Sequence, residues 1–155
     1  MLLEEGTWLG KGSWRITTDS STVAFDATIE LREVEQGYEV EVDVKTVTNY
    51  HHQFSVWIAP DETGTYNVIL DGEFIDMEGC AKLDSTPHLS LLTDSDRPKD
   101  TLTVALFETR EAYGVRGFYR RQADLYTFEL AIRSKTEIVV EEESNVVQFR
   151  PRPRR

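Results

Sequence analysis

Three histidines and one cysteine are the side chains of this 155-residue chain best suited to hold a metal or move a proton near neutral pH. His51 and His52 are adjacent in the stretch HHQFSVWI. If that stretch is a strand, adjacent side chains point to opposite faces, and the two imidazoles cannot share one metal without distortion. Parity with Phe54 and Val56 puts His52 on the apolar face and His51 outside with Gln53. An inward His52 is either a hydrogen-bonded core residue or a polar contact in a cavity that can take a proton. As the base of an isomerase or lyase it would need a carboxylate beside it. Cys80 and His88 stand apart from this pair, and no CxxC, HExxH, GxSxG or phosphate-loop pattern is present. Gly10-Lys11-Gly12-Ser13 matches the end of a phosphate loop but lacks its earlier glycine and opens no helix. The residues therefore nominate no catalytic set and no metal site.

The segment TREAYGVRGFYRR concentrates arginine and aromatic residues. In a strand, Arg116, Phe118 and Arg120 share one face, and Tyr113, Val115, Gly117 and Tyr119 the other. With the tyrosines inward, the arginines balance an acidic surface. With the arginines inward, Arg116 could hold a ligand carboxylate. Basic and aromatic side chains together also suit single-stranded nucleic acid. The net charge of −11 makes that the weakest reading, and neither nucleic acid nor an anionic membrane is expected as a partner.

Period-two alternation of apolar and polar residues runs through most of the chain. Val23, Phe25, Ala27, Ile29 and Leu31 face one way, then Tyr38, Val40, Val42 and Val44, with a turn expected at Gln36-Gly37. Phe54, Val56 and Ile58 stop at Pro60, Tyr66, Val68 and Leu70 follow, and Asp71-Gly72 marks a further turn. Strands are also expected over 74–83, 89–92, from Leu102, over 112–121 and from Tyr126 through Phe128 to Ile132. Residues 138–140 and 146–149 are expected to close the sheet. One apolar and one polar face per strand indicates antiparallel sheet. Consecutive short turns predict an all-β fold, a single antiparallel up-and-down barrel of about ten strands.

The opening strand reads GTWLGKGSW. Trp8, Gly10, Gly12 and Trp14 share a face, and glycines there leave room for close backbone approach. Gly6, Gly10 and Gly12 are read as the corner where the barrel shuts. Gly6-Thr7-Trp8 resembles the Gly-x-Trp that opens the first strand in the calycin superfamily, the lipocalins, fatty-acid-binding proteins and their relatives. The longer string from Gly6 to Gly12 resembles the nitrobindin-like branch and nearby uncharacterised bacterial families. The resemblance implies a calycin-like barrel and a basic side chain packed on Trp8, which would be Arg133. It also implies haem held by a late histidine. No histidine follows His88, so haem is not expected and the cofactor stays unknown.

The composition, 39% hydrophobic and 29% charged, is that of a globular chain. MLLEEG has neither the positive nor the apolar region of a signal peptide, and no apolar run reaches the ~18–20 residues that cross a bilayer as a helix. A single cysteine fits a reducing, cytoplasmic setting. One barrel domain is expected over 1–149. RPRPRR at 150–155 reads as a disordered basic tail, or as an arm contacting an acidic partner or a second copy in a homodimer. The leading functional reading is non-enzymatic binding of a small, largely apolar molecule in the barrel. The candidate lining is Trp14, Phe25, Tyr38, His52, Phe54, Arg116, Tyr126 and Phe128. The alternatives are an isomerase or lyase using His52, and a solid barrel that serves only as an interaction module.

Overall fold

A computed structural model of the chain describes residues 3–17, 21–136 and 138. Its strands are β1 (Gly6–Ile16), β2 (Val23–Val34), β3 (Gly37–Thr46), β4 (His51–Pro60) and β5 (Tyr66–Gly72). Then come β6 (Ile75–Lys82), β7 (His88–Thr93), β8 (Thr101–Glu108), β9 (Tyr113–Arg121) and β10 (Asp124–Ser134). Each pairs antiparallel with the next, and β1 pairs with both β2 and β10, so the sheet closes into one up-and-down barrel. Closure leaves no unpaired edge to template another strand.

The expected alternation is what the barrel uses. Phe25, Ala27 and Leu31 face inward from β2, and Val68 and Leu70 from β5, all buried. Two turns fall slightly away from their glycines. Val34 pairs with Gly37, so Glu35 and Gln36 make that turn. Gly72 pairs with Ile75, so Glu73 and Phe74 make the other. Gly37 has φ 142°, and a Cβ on it would strike the Ile58 carbonyl. It is there for close approach as well as backbone freedom.

The seam explains the glycines of β1. Gly12 lies between Phe25 of β2 and Leu130 of β10. A Cβ there would come 2.9 Å from Phe25 Cζ and collide with the Glu129 carbonyl. The space spared by the glycine is filled by its neighbours. The same cross-strand pairing recurs as Phe54 with Gly72, Phe107 with Gly114, and Phe128 with Gly117. In each case a Cβ on the glycine would press on the phenylalanine side chain. A flat ring over a bare backbone buries apolar area that glycine alone could not.

Near the start of β1 the barrel is stoppered. Leu3, Trp8 and Ile132 are buried together, with Ile29, Leu106, Tyr113 and Leu130 packed around them. The Trp8 indole donates from Nε1 to the Glu4 carbonyl at 3.0 Å, and its ring meets Tyr113 edge-on at 5.4 Å. The sheet closes through β10 alone. Lys135, Thr136 and Ile138 are helical, so the strand expected from Ile138 does not begin there. Residues 139–140, 146–149 and the tail at 150–155 lie outside the described residues.

Candidate functional site

Two inner walls of the barrel differ. Inward side chains in the middle of β5, β6 and β7 are sealed, with Val68 and Leu70 4% exposed, Met77 1% and Leu92 2%, while Tyr66, Ile75 and Ser90 are half-buried. Next to them in the sheet, Tyr38, Val40, Val42 and Val44 of β3 and Phe54, Val56 and Ile58 of β4 are only half-buried, the β4 side chains packed against the sealed cluster. Both strands are hydrogen-bonded on either side. In a closed barrel an inward side chain on such a strand meets solvent through the lumen or the barrel mouths. The half-buried wall is apolar except for His52 at one end and the Tyr38 hydroxyl at the other.

Opposite the Trp8 stopper, aromatic rings gather at the other mouth. On one side, Trp14 of β1 and Tyr126 of β10 have centroids 5.7 Å apart, and Tyr119 of β9 lies 5.8 Å from Tyr126. On the other, the His52 ring sits between Tyr50, at 4.1 Å, and Phe74, at 5.3 Å. Tyr50 and Phe74 are about half exposed, at 53% and 51%. The loop between β7 and β8 is braced beside this mouth. The Asp94 carboxylate accepts from the Asp96 and Arg97 backbone amides at 2.9 Å and from Arg97 Nη2 at 2.6 Å. Those hydrogen bonds, the Arg97 side chain foremost, hold the Asp94 carboxyl below its usual range. Asp100, 2% exposed, accepts from the Gln122 amide at 2.7 Å and so ties this loop to the turn between β9 and β10.

His52 is inward, as parity required, and His51 is outward, with Nε2 2.9 Å from Asp43 Oδ2. The partners of His52 are rings; no carboxylate hydrogen-bonds to it among the described residues. Burial, its largest influence, holds the His52 pKa below the ordinary 6.5, with the nearby Glu73 charge opposing. His88, 5% exposed at the stoppered end with Nδ1 unpartnered, is held down by burial in the same direction. For both, the unfolded chain binds the proton more readily than the fold does. Stability therefore rises with pH between each depressed folded value and 6.5, and it is lost on acidification through that window. Urea unfolding midpoints should fall from pH 7 to pH 5.5, and His52→Phe should flatten part of that fall. An NMR titration should find the His52 ring with a midpoint below 6.5.

The expected lining residues do not all meet. Trp14, His52 and Tyr126 reach the aromatic mouth, Phe54 and Phe128 lie behind it, and Tyr38 sits at the far end. Phe25 is buried against Gly12. Arg116 is outside. Its side chain is 69% exposed, pairs with Glu129 at 3.3 Å and stands 5.6 Å from the Phe107 ring centre. The tyrosines of β9 face inward, so the reading that placed Arg116 in the cavity is corrected. Arg133 shares the outward parity of Leu9, opposite to that of Trp8. It pairs with Glu111 at 3.5 Å and lines an outer groove of about 500 Å³ with Leu9 and Lys11. Tyr113 takes the place against Trp8 that the resemblance implied for Arg133.

Sequence reasoning did not assign Tyr50, Phe74 or Tyr119 to the site. Tyr50 and Phe74 precede or interrupt the alternation, and an aromatic residue in a turn was the available signal. Among the described residues, no group of three or more His, Cys, Asp or Glu side chains could hold a metal ion. No known protein-family model matches this chain, and no curated protein matches it.

Proposed function

We propose that this chain binds a small, largely apolar molecule inside its barrel, without chemistry, and admits it at the aromatic mouth. The asymmetry of the lumen carries this reading. A solid barrel packed to interior density would bury both walls alike. Here buried side chains gather in the middle of the β5–β7 wall, while none of the inward side chains from Tyr38 to Val44 or from His52 to Ile58 is buried. A mostly apolar lining with a few placed polar groups, here His52 and the Tyr38 hydroxyl, is the usual form of a small-molecule site. The calycin-like opening string supports the same reading, because small calycin barrels commonly enclose one ligand. His52 is flanked by rings and, among the described residues, no carboxylate hydrogen-bonds to it, which favours binding over acid–base catalysis.

Tryptophan fluorescence tests the proposal. Dodecanoate, haem and an anilinonaphthalene sulfonate are titrated separately into the full chain. At least one should saturate one site per barrel with a Kd of about 10 µM or tighter. Trp14→Phe should remove most of the signal change, since Trp14 stands at the mouth. Trp57→Phe should preserve it, since Trp57 has the outward parity of Ser55. Failure of all three probes to saturate would count against an interior site.

A further inference from the structure

The outer wall formed by β7, β8 and β9 carries no acidic side chain at any outward position, on a chain with 28 acidic residues. Its outward charges are Arg116 and Arg120. The wall across the barrel is acidic on balance, with Asp26, Glu30, Glu39, Glu41 and Asp43 outward on β2 and β3 beside Arg32 and Lys45. Large apolar side chains stand exposed on the acid-free wall: Leu89 at 48%, Leu91 at 52% and Phe118 at 55%. They form one patch, because Leu91, Thr103 and Phe118 lie in a single cross-strand row, with Leu89 and Ala105 in the next. A closed barrel has no edge to protect, so edge protection does not account for this distribution. An acid-free apolar face on a body of net charge −11 marks the place where another surface can approach without carboxylates meeting it.

We propose that a second copy of this chain covers the patch, about a two-fold axis that runs parallel to the strands between Leu91 and Thr103. The register supplies one complementary charge pair, made twice. Glu78 of β6 leads through Thr93 and Thr101 to Arg120 of β9 in one cross-strand row. A two-fold axis midway along that row sets Glu78 of each copy opposite Arg120 of the other, twice per dimer. In the Leu91 row, the same operation sets Cys80 opposite Phe118. In the Leu89 row it sets Lys82 opposite Arg116, two like charges, of which Arg116 is already paired with Glu129 at 3.3 Å. Isologous pairing of this kind is the commonest form of homo-oligomer. The acidic wall of β2 and β3 is left facing solvent, where it keeps further copies away.

Sedimentation equilibrium over a range of concentrations reads the result. The full chain should approach twice its monomer mass, with no larger species. Phe118→Asp should raise the dimer dissociation constant at least ~30-fold, as for a large apolar side chain covered by the partner. Arg120→Glu and Glu78→Arg should each weaken the dimer, and the two together should restore it to within about threefold of the parent. All these side chains point outward, and far-UV circular dichroism checks that each variant folds. A monomer at every concentration overturns the proposal, as does open-ended growth or a dimer indifferent to Phe118→Asp. Failure of the charge swap to restore a dimer weakened by both single changes overturns the two-fold arrangement.

Discussion

Gly12→Val is expected to leave little folded protein. At this point β1 has β2 on one side and β10 on the other, and the seam of the barrel runs through it. A Cβ at Gly12 meets the Glu129 carbonyl, which is backbone of the neighbouring strand, as well as Leu130 Cβ and the Phe25 ring. A side chain can swing away, but a ladder carbonyl can move only by opening the seam. Overpacking of this kind costs ~1–3 kcal/mol where neighbours yield and more where they cannot. Domains of this size have only ~5–15 kcal/mol to lose. Gly12→Ala should then cost at least ~3 kcal/mol in urea unfolding. Gly10→Ala should cost less, because the atoms it meets, Leu130 Cδ1 at 2.9 Å and Ile132 Cγ2 at 3.0 Å, are the far ends of side chains. Equal costs at the two positions would mean that the seam is looser than its geometry implies.

Val42→Trp is expected to abolish interior binding while leaving the barrel folded. Val42 faces inward from the middle of β3, between Ile29 and Phe54, and is half-buried. An indole there should occupy the volume assigned to the ligand. It should raise the Kd of the best-binding probe at least ~100-fold and shift stability by less than ~2 kcal/mol. Leu70→Trp is the counterpart on the sealed wall. Leu70 is 4% exposed and packed among Val68, Met77 and Leu92. With no space to receive it, that indole should destabilise the fold by ~3 kcal/mol or more. If Val42→Trp destabilised as much as Leu70→Trp, the two walls would be equally packed and the lumen solid.

Much of the architecture was legible because alternation is a local property. Once Val23 to Leu31 and Tyr38 to Val44 are read as strands, parity alone sends their side chains inward, and the barrel does so. The turns fall one or two residues from where Gln36-Gly37 and Asp71-Gly72 signal them, for an identifiable reason. Each glycine also answers to the neighbouring strand: Gly37 to the Ile58 carbonyl, Gly72 to Phe54 Cβ at 2.8 Å. Such demands come from residues distant in the chain. The same holds for β9, where parity separates Arg116 and Phe118 from Val115 and Tyr119 without saying which pair is inside. The register against β8 and β10 decides it, bringing Tyr119 beside Leu102 and Tyr126 and leaving Arg116 with Glu129. The site was legible where strands carry it, as at Trp14, His52 and Tyr126. It was not legible at Tyr50 and Phe74, whose place at the mouth depends on how two turns fold toward His52.

Interior binding is tested most directly by intermolecular NOEs between a bound, unlabelled alkyl chain and ¹³C-labelled methyl groups of the protein. Dodecanoate added to the full chain should give cross-peaks to the Val40, Val42 and Val44 methyls and leave those of Leu89 and Leu91 silent. Cross-peaks confined to Leu89 and Leu91, with the β3 valines silent at saturation, would place the ligand on the outer patch and contradict the account.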